Sequence, residues 1–163
     1  MLVDHGSYVQ RITLILHNGG IEHVLFSKVN GPSMLPTMSV TGDWVLEENL
    51  TTHIPSLRPL KRGDIVVATS PFNPRAHICK RVLGLPGDII CVDPTGEYAP
   101  STEHVLIPKG HLWLVGDNAS MSRDSRTYGP VPMALVRGRV IARYWPWKDR
   151  TIFGSNVTSL GVI

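Results

Sequence analysis

The frequency of interruption limits this chain's fold more than any other feature of its sequence. Turn-forming clusters recur at Thr41-Gly42-Asp43, Arg62-Gly63-Asp64, Leu85-Pro86-Gly87-Asp88, Gly116-Asp117-Asn118 and Tyr128-Gly129-Pro130. Their residues accept positive φ, preset φ or hydrogen-bond their own backbone, so each cluster stops a helix and lets the chain reverse. Between the breaks lie short apolar runs at 43–48 (DWVLEE), 64–69 (DIVVAT), 77–83 (HICKRVL), 88–92 (DIICV), 111–115 (HLWLV) and 136–145 (VRGRVIARYW). Long stretches of strong helix formers are few, while Gly and Pro number 15 and 13 among 163 residues. The pattern predicts an all-β domain of antiparallel, partly barrel-like sheets.

Composition narrows the function classes. Hydrophobic residues at 42% and charged residues at 18% describe a globular chain able to bury one core. The net charge is +3 and the pI near 9.1. Apart from the pairs Lys61-Arg62 and Lys80-Arg81, the basic residues are scattered, which reads as an ordinary basic surface and not as a nucleic-acid site. Cys79 and Cys91 form no Cys-x-x-Cys pair and read as small core residues rather than a disulfide. The seven histidines show no metal-ligand spacing, and no Gly-rich phosphate loop is present, so neither metal nor cofactor is expected.

The amino-terminal stretch at 8–29 (YVQRITLILHNGGIEHVLFSKV) is the one candidate for a membrane segment. Arg11, His17, Asn18, Glu22, His23 and Lys28 interrupt it, and Gly19-Gly20 weakens any helix. A spanning helix needs about 20 mostly apolar residues, so the stretch reads as an interfacial anchor or as a strand leading into the core. The chain then divides into an N-terminal segment at 1–29 (a candidate anchor), a main domain at 30–148 and a C-terminal tail at 149–163.

Three short segments carry chemistry. Asn30-Gly31-Pro32-Ser33-Met34-Leu35-Pro36-Thr37 brackets a serine with Gly and Pro, a stiff turn that can hold a hydroxyl at a sheet edge. Met34 and Pro36 are candidates for the substrate groove beside it. In the second segment, strand alternation puts Ile78, Lys80 and Val82 on one face and Cys79, Arg81 and Leu83 on the other. A lysine facing an apolar core is costly when charged, so it is driven toward the neutral amine that acts as a base. The third runs through Gly116-Asp117-Asn118, Ser122-Arg123-Asp124-Ser125-Arg126 and Tyr128-Gly129-Pro130, and in it Asp124 and Arg126 are close enough to pair and pin the loop.

Together these segments resemble the ordered boxes of the type I signal peptidases. The boxes are SMxPT at 33–37, GDIVV at 63–67, KRVxGxPGD at 80–88 and GDNxxxSxDSRxYGP at 116–130. The resemblance covers residues 30–147 and implies a signal-peptidase-type fold. Finer details are similar to the subunit 1 type of the mitochondrial inner membrane protease. These are Gly-Pro before the serine, Glu48-Asn49-Leu50, Ile78-Cys79, Gly129-Pro130-Val131-Pro132, Leu135-Val136-Arg137-Gly138-Arg139 and Trp145-Pro146.

The resemblance makes Ser33 the nucleophile and Lys80 the general base. It gives Ser122 a hydrogen bond to the lysine, and Asp124 and Arg126 the bracing of that loop. It further implies cleavage of N-terminal sorting sequences from protein precursors, with an acidic or amide residue accepted before the scissile bond. The implied setting is the intermembrane-space face of the mitochondrial inner membrane, with the chain membrane-associated and paired to a second, related subunit. Many bacterial members carry a serine two positions before the nucleophile, where this chain has Gly31. The oxyanion donors are then the Ser33 N–H and a second group, for which the Asn30 side chain is a candidate. The rival readings are a signal peptidase of another membrane, a self-cleaving repressor and a catalytically silent partner subunit. A repressor needs a helix-turn-helix before the β-domain, for which 29 residues containing Gly19-Gly20 leave no room.

Overall fold

The computed structural model describes residues 8–12, 24–49, 56, 59–94, 96 and 102–154. Its strands are β1 (Tyr8–Ile12), β2 (Val24–Asn30), β3 (Asp43–Glu48), β4 (Ile65–Thr69), β5 (His77–Gly84) and β6 (Ile89–Cys91). They continue with β7 (His104–Leu106), β8 (His111–Val115), β9 (Val131–Pro132), β10 (Val136–Trp145) and β11 (Thr151–Ile152). Among the described residues, one helical turn, α1 (Ser125–Tyr128), and several 3-10 turns accompany them. The main sheet runs β1-β2-β3-β10-β4-β5-β8-β9, with β11 added to β10 and β6-β7 forming a separate ribbon. It curls until β1 meets β5 at Tyr8 and Ile78. The chain is therefore all-β and antiparallel with a partly closed barrel, as the turn pattern predicts.

Strand β4 shows why these residues form this sheet. All five of its positions are buried because both faces are covered. Ile65 and Val67 pack inside the curl with Val29, Met34, Val45, Cys79 and Val140. Val66 and Ala68 pack outside it with Val82, Leu112, Leu114, Val131 and Val136. Strand β2 alternates instead, burying Leu25, Ser27 and Val29. The buried Ser27 hydroxyl donates to Glu47 at 2.9 Å, which gives that buried carboxylate one of its partners. Strand β10 bends across β3 and β4 through register shifts at three points. Gly138 sits at one of them, where a Cβ would lie 2.7 Å from the Glu48 carbonyl oxygen.

The expected segment boundaries meet the sheet as follows. Strand β2 runs through the boundary at residues 29 and 30, and β11 draws Thr151 and Ile152 of the expected tail onto β10. Residues 13–23 of the candidate anchor lie outside the described residues. Among the described residues no helix is long and apolar enough to cross a membrane. Cys79 is buried, Cys91 is half-buried, and the two form no disulfide.

Candidate active site

The lysine is delivered by register. Strand β5 pairs with β4 so that Lys80 stands opposite Val66 and Ile78 opposite Ala68. Directly opposed residues share a face, which puts Lys80 among Val66, Ile78, Ala68 and Val82. The next residue, Arg81, points to the other side and joins a polar network. Lys80 is fully buried, and its Nζ donates to Ser33 Oγ at 2.6 Å.

The serine is delivered by a turn. Gly31 has φ of 106°, a conformation that favours glycine over any side chain, and opens a 3-10 turn over Pro32–Met34. A serine at this position would be strained here. Ser33 and Met34 are fully buried. Met34 packs into the core cluster beneath the turn, whereas Pro36 is exposed at its rim. The Asn30 side chain packs against Gly42, where a Cβ would lie 2.6 Å from its Oδ1.

Segment 116–129 clamps both. The Asn118 N–H donates to the Ser33 carbonyl at 3.0 Å, and its side-chain amide donates to the Pro32 carbonyl at 3.2 Å. Asp117 accepts from Thr37 Oγ1 at 2.5 Å and from the Arg81 guanidinium at 2.8 and 2.6 Å. Arg81 also donates to the Gly63 carbonyl at 2.8 Å. From β10, Arg143 donates to the Thr37 carbonyl at 2.9 Å. The serine turn is thus bonded at Pro32, Ser33 and Thr37 by groups distant in sequence.

Asp124 organises the same segment from within. It is fully buried, caps α1 and accepts from the Gly116 N–H at 2.8 Å and from Ser122 Oγ at 2.5 Å. Arg126 donates to it through Nε at 2.9 Å and through its terminal nitrogen at 2.6 Å. Burial pushes the Asp124 carboxyl up; the Arg126 bonds and charge, the Gly116 N–H and Ser122 together outweigh it and hold the group below the usual carboxylate range. Ser122, expected to bond the lysine, directs its one proton to Asp124, so only its lone pairs remain for an amine. Its side chain crowds Gly116, where a Cβ would also lie 2.5 Å from the Ser33 carbonyl oxygen.

The structure therefore gathers Ser33, Lys80, Ser122, Asp124 and Arg126 around Gly116 and β5. It adds Thr37 and Arg81, to which sequence reasoning assigned no role, and makes the turn cluster Gly116-Asp117-Asn118 the part that holds the serine. All five stand inside the boxes, so their position carried a signal. The Arg81–Asp117 pair spans 36 positions, and nothing local announces such a partner.

A family model described as "Signal peptidase, peptidase S26" matches residues 9–97 and 93–145. The chain is 45% identical over 140 residues to a mitochondrial inner membrane protease subunit 1 of Schizosaccharomyces pombe, covering 85% of this chain and 84% of that protein. It is 41% identical over 150 residues to the human protein of the same name, covering 88% and 87%. A mitochondrial inner membrane protease subunit 2 of Saccharomyces cerevisiae is 38% identical over 138 residues, covering 82% of this chain and 73% of that protein. With its boxes gathered in one place and matches of this extent, the chain belongs to the signal peptidase, peptidase S26, family.

Proposed function

We propose that this chain is a serine endopeptidase in which Ser33 attacks the scissile carbonyl and Lys80 takes its proton. The observation that carries the reading is the 2.6 Å Nζ–Oγ hydrogen bond between two fully buried side chains. A serine hydroxyl is a weak nucleophile until a base removes its proton, and Ser-Lys pairs are a recurring variant of the triad logic. Removing an ammonium from water favours the neutral amine, the form able to accept that proton. Attack gives an acyl-enzyme on Ser33 Oγ, and Lys80 passes the proton to the departing amine. Lys80 then deprotonates the water that releases the acyl product. The Ser33 backbone N–H supplies one oxyanion donor. Asp124, Arg126 and Ser122 act by holding the segment that clamps the serine turn. Because Ser33 is buried, a substrate carbonyl reaches Oγ only by displacing what packs over it.

The substrates are protein precursors carrying N-terminal sorting sequences, cleaved at the intermembrane-space face of the mitochondrial inner membrane. The relatives' names support that location, and the existence of named subunits 1 and 2 supports a related partner subunit. The test is cleavage of a fluorogenic peptide spanning a sorting-sequence junction by the chain together with its partner subunit. Ser33→Ala and Lys80→Arg each lower kcat/KM by about 10³-fold or more, since a guanidinium stays protonated. Substantial cleavage by folded Ser33→Ala would remove this serine from the mechanism.

A further inference from the structure

Beside the clamp, the β4–β5 loop and the Ser122 segment build a feature that the proposed chemistry does not use. Phe72 is 54% exposed, and the Arg123 guanidinium lies over its ring, 4.1 Å from the centroid. Tyr128 packs edge to face with Phe72, with ring centroids 5.3 Å apart. Arg123 is exposed and directly follows Ser122, whose side chain crowds Gly116 alongside the Ser33 carbonyl. Two arginines of the clamp are neutralised, Arg81 by Asp117 at 2.6 Å and Arg126 by Asp124 at 2.6 Å. Among the described residues no carboxylate pairs with Arg123. A guanidinium stacked on an aromatic ring is held in place, so less freedom is lost when its N–H groups engage a ligand.

We propose, resting on the endopeptidase reading, that Arg123 seated on Phe72 is a specificity determinant for a carboxylate-bearing residue of the precursor. That residue stands away from the one just before the scissile bond. The residue at the bond must lie against buried Ser33, whereas the guanidinium is exposed. An extended substrate strand leaving the buried site reaches it with a later side chain. A carboxylate matches the planar N–H pattern of a guanidinium, which an amide or a lysine does not.

The test is a peptide series in which one Glu is moved through the four positions on either side of the scissile bond. Matched Gln and Lys peptides are cleaved alongside, at low and high salt. At one position other than that just before the bond, the native enzyme favours Glu over Gln by about threefold to fivefold, through KM, as fits an exposed ion pair. The preference fades at about 0.5 M salt. Arg123→Gln abolishes it without changing the melting temperature or cleavage of the Gln peptide. Arg123→Glu inverts it in favour of Lys, and Phe72→Ala weakens it. Ser33-dependent cleavage with the same Glu preference in all three variants overturns this inference and leaves the endopeptidase reading standing. Cleavage that survives Ser33→Ala, or no cleavage of any peptide, overturns both.

Discussion

Strand β5 brings Lys80 to the site through backbone register, with an apolar face around the side chain and main-chain ladders on both sides. The Ser33 turn belongs to no strand and is held by separate bonds from Asn118, Asp117 and Arg143. One partner is thus positioned by a repeating local pattern and the other by individually chosen contacts across the chain. The difference matters because the two side chains must meet at 2.6 Å. Errors in the strand cost register as a whole, whereas errors in the clamp cost one contact at a time. A strand-side change that alters the side chain and spares the register should separate activity from stability, and changes in the clamp should lower both.

The largest effect tests the strand side. Lys80→Met keeps the length of the side chain and removes the charge from an apolar face. It should abolish cleavage, by about 10³-fold or more, while melting at or above the native temperature at pH 7. A folded Lys80→Met protein melting far below native would show that the lysine's contacts, not its chemistry, hold β5 in place.

Asp124→Ala tests the clamp. It removes the carboxylate that the Gly116 N–H, the Ser122 hydroxyl and the Arg126 guanidinium share, at a cost of about 3–5 kcal/mol for a broken buried pair. Turnover and thermal stability should fall together. Because the folded Asp124 carboxyl titrates below its unfolded value, its contribution is complete above the ordinary carboxylate pKa of about 3.9 and is lost as pH falls through the folded value. The gap between native and variant melting temperatures should therefore stay constant from neutral pH to about pH 5 and narrow only in stronger acid. Activity lost at native stability would give Asp124 a direct part in the chemistry.

A smaller change probes the clamp from the other side. Gly116→Ala puts a methyl 2.5 Å from the Ser33 carbonyl oxygen, so the serine turn must move. A shift of that kind costs about 1–3 kcal/mol and, at about 1 Å, on the order of 10²-fold in turnover. Native turnover in this variant would mean that the turn tolerates displacement and the contact is incidental.

The smallest effect returns to the strand. Burial pushes the Cys79 thiol up to about 12, with the Lys80 charge opposing it and the Glu47 charge adding to it. Alkylation at pH 8 should label half-buried Cys91 in the native chain and reach Cys79 only on unfolding. Equal labelling of both would mean that the β5 face opens readily.

What the sequence determined by itself is what repeats locally. Turn clusters at short intervals dictated short strands, because Gly, Pro, Asn and Asp act through their own φ and their own backbone bonds. Period-two alternation placed Lys80 with Ile78 and Val82, and β4 bears this out by setting Val66 and Ala68 against them. Alternation could not choose Lys80's partner, which lies 47 positions away. Nor could it show that Met34 would be core, that Ser122 would give its proton to Asp124, or that β2 would join the main sheet. Those outcomes were decided by the tertiary structure. A strand's face follows from neighbours in sequence, whereas a buried hydroxyl, amide or guanidinium takes the partner that the folded chain brings within reach.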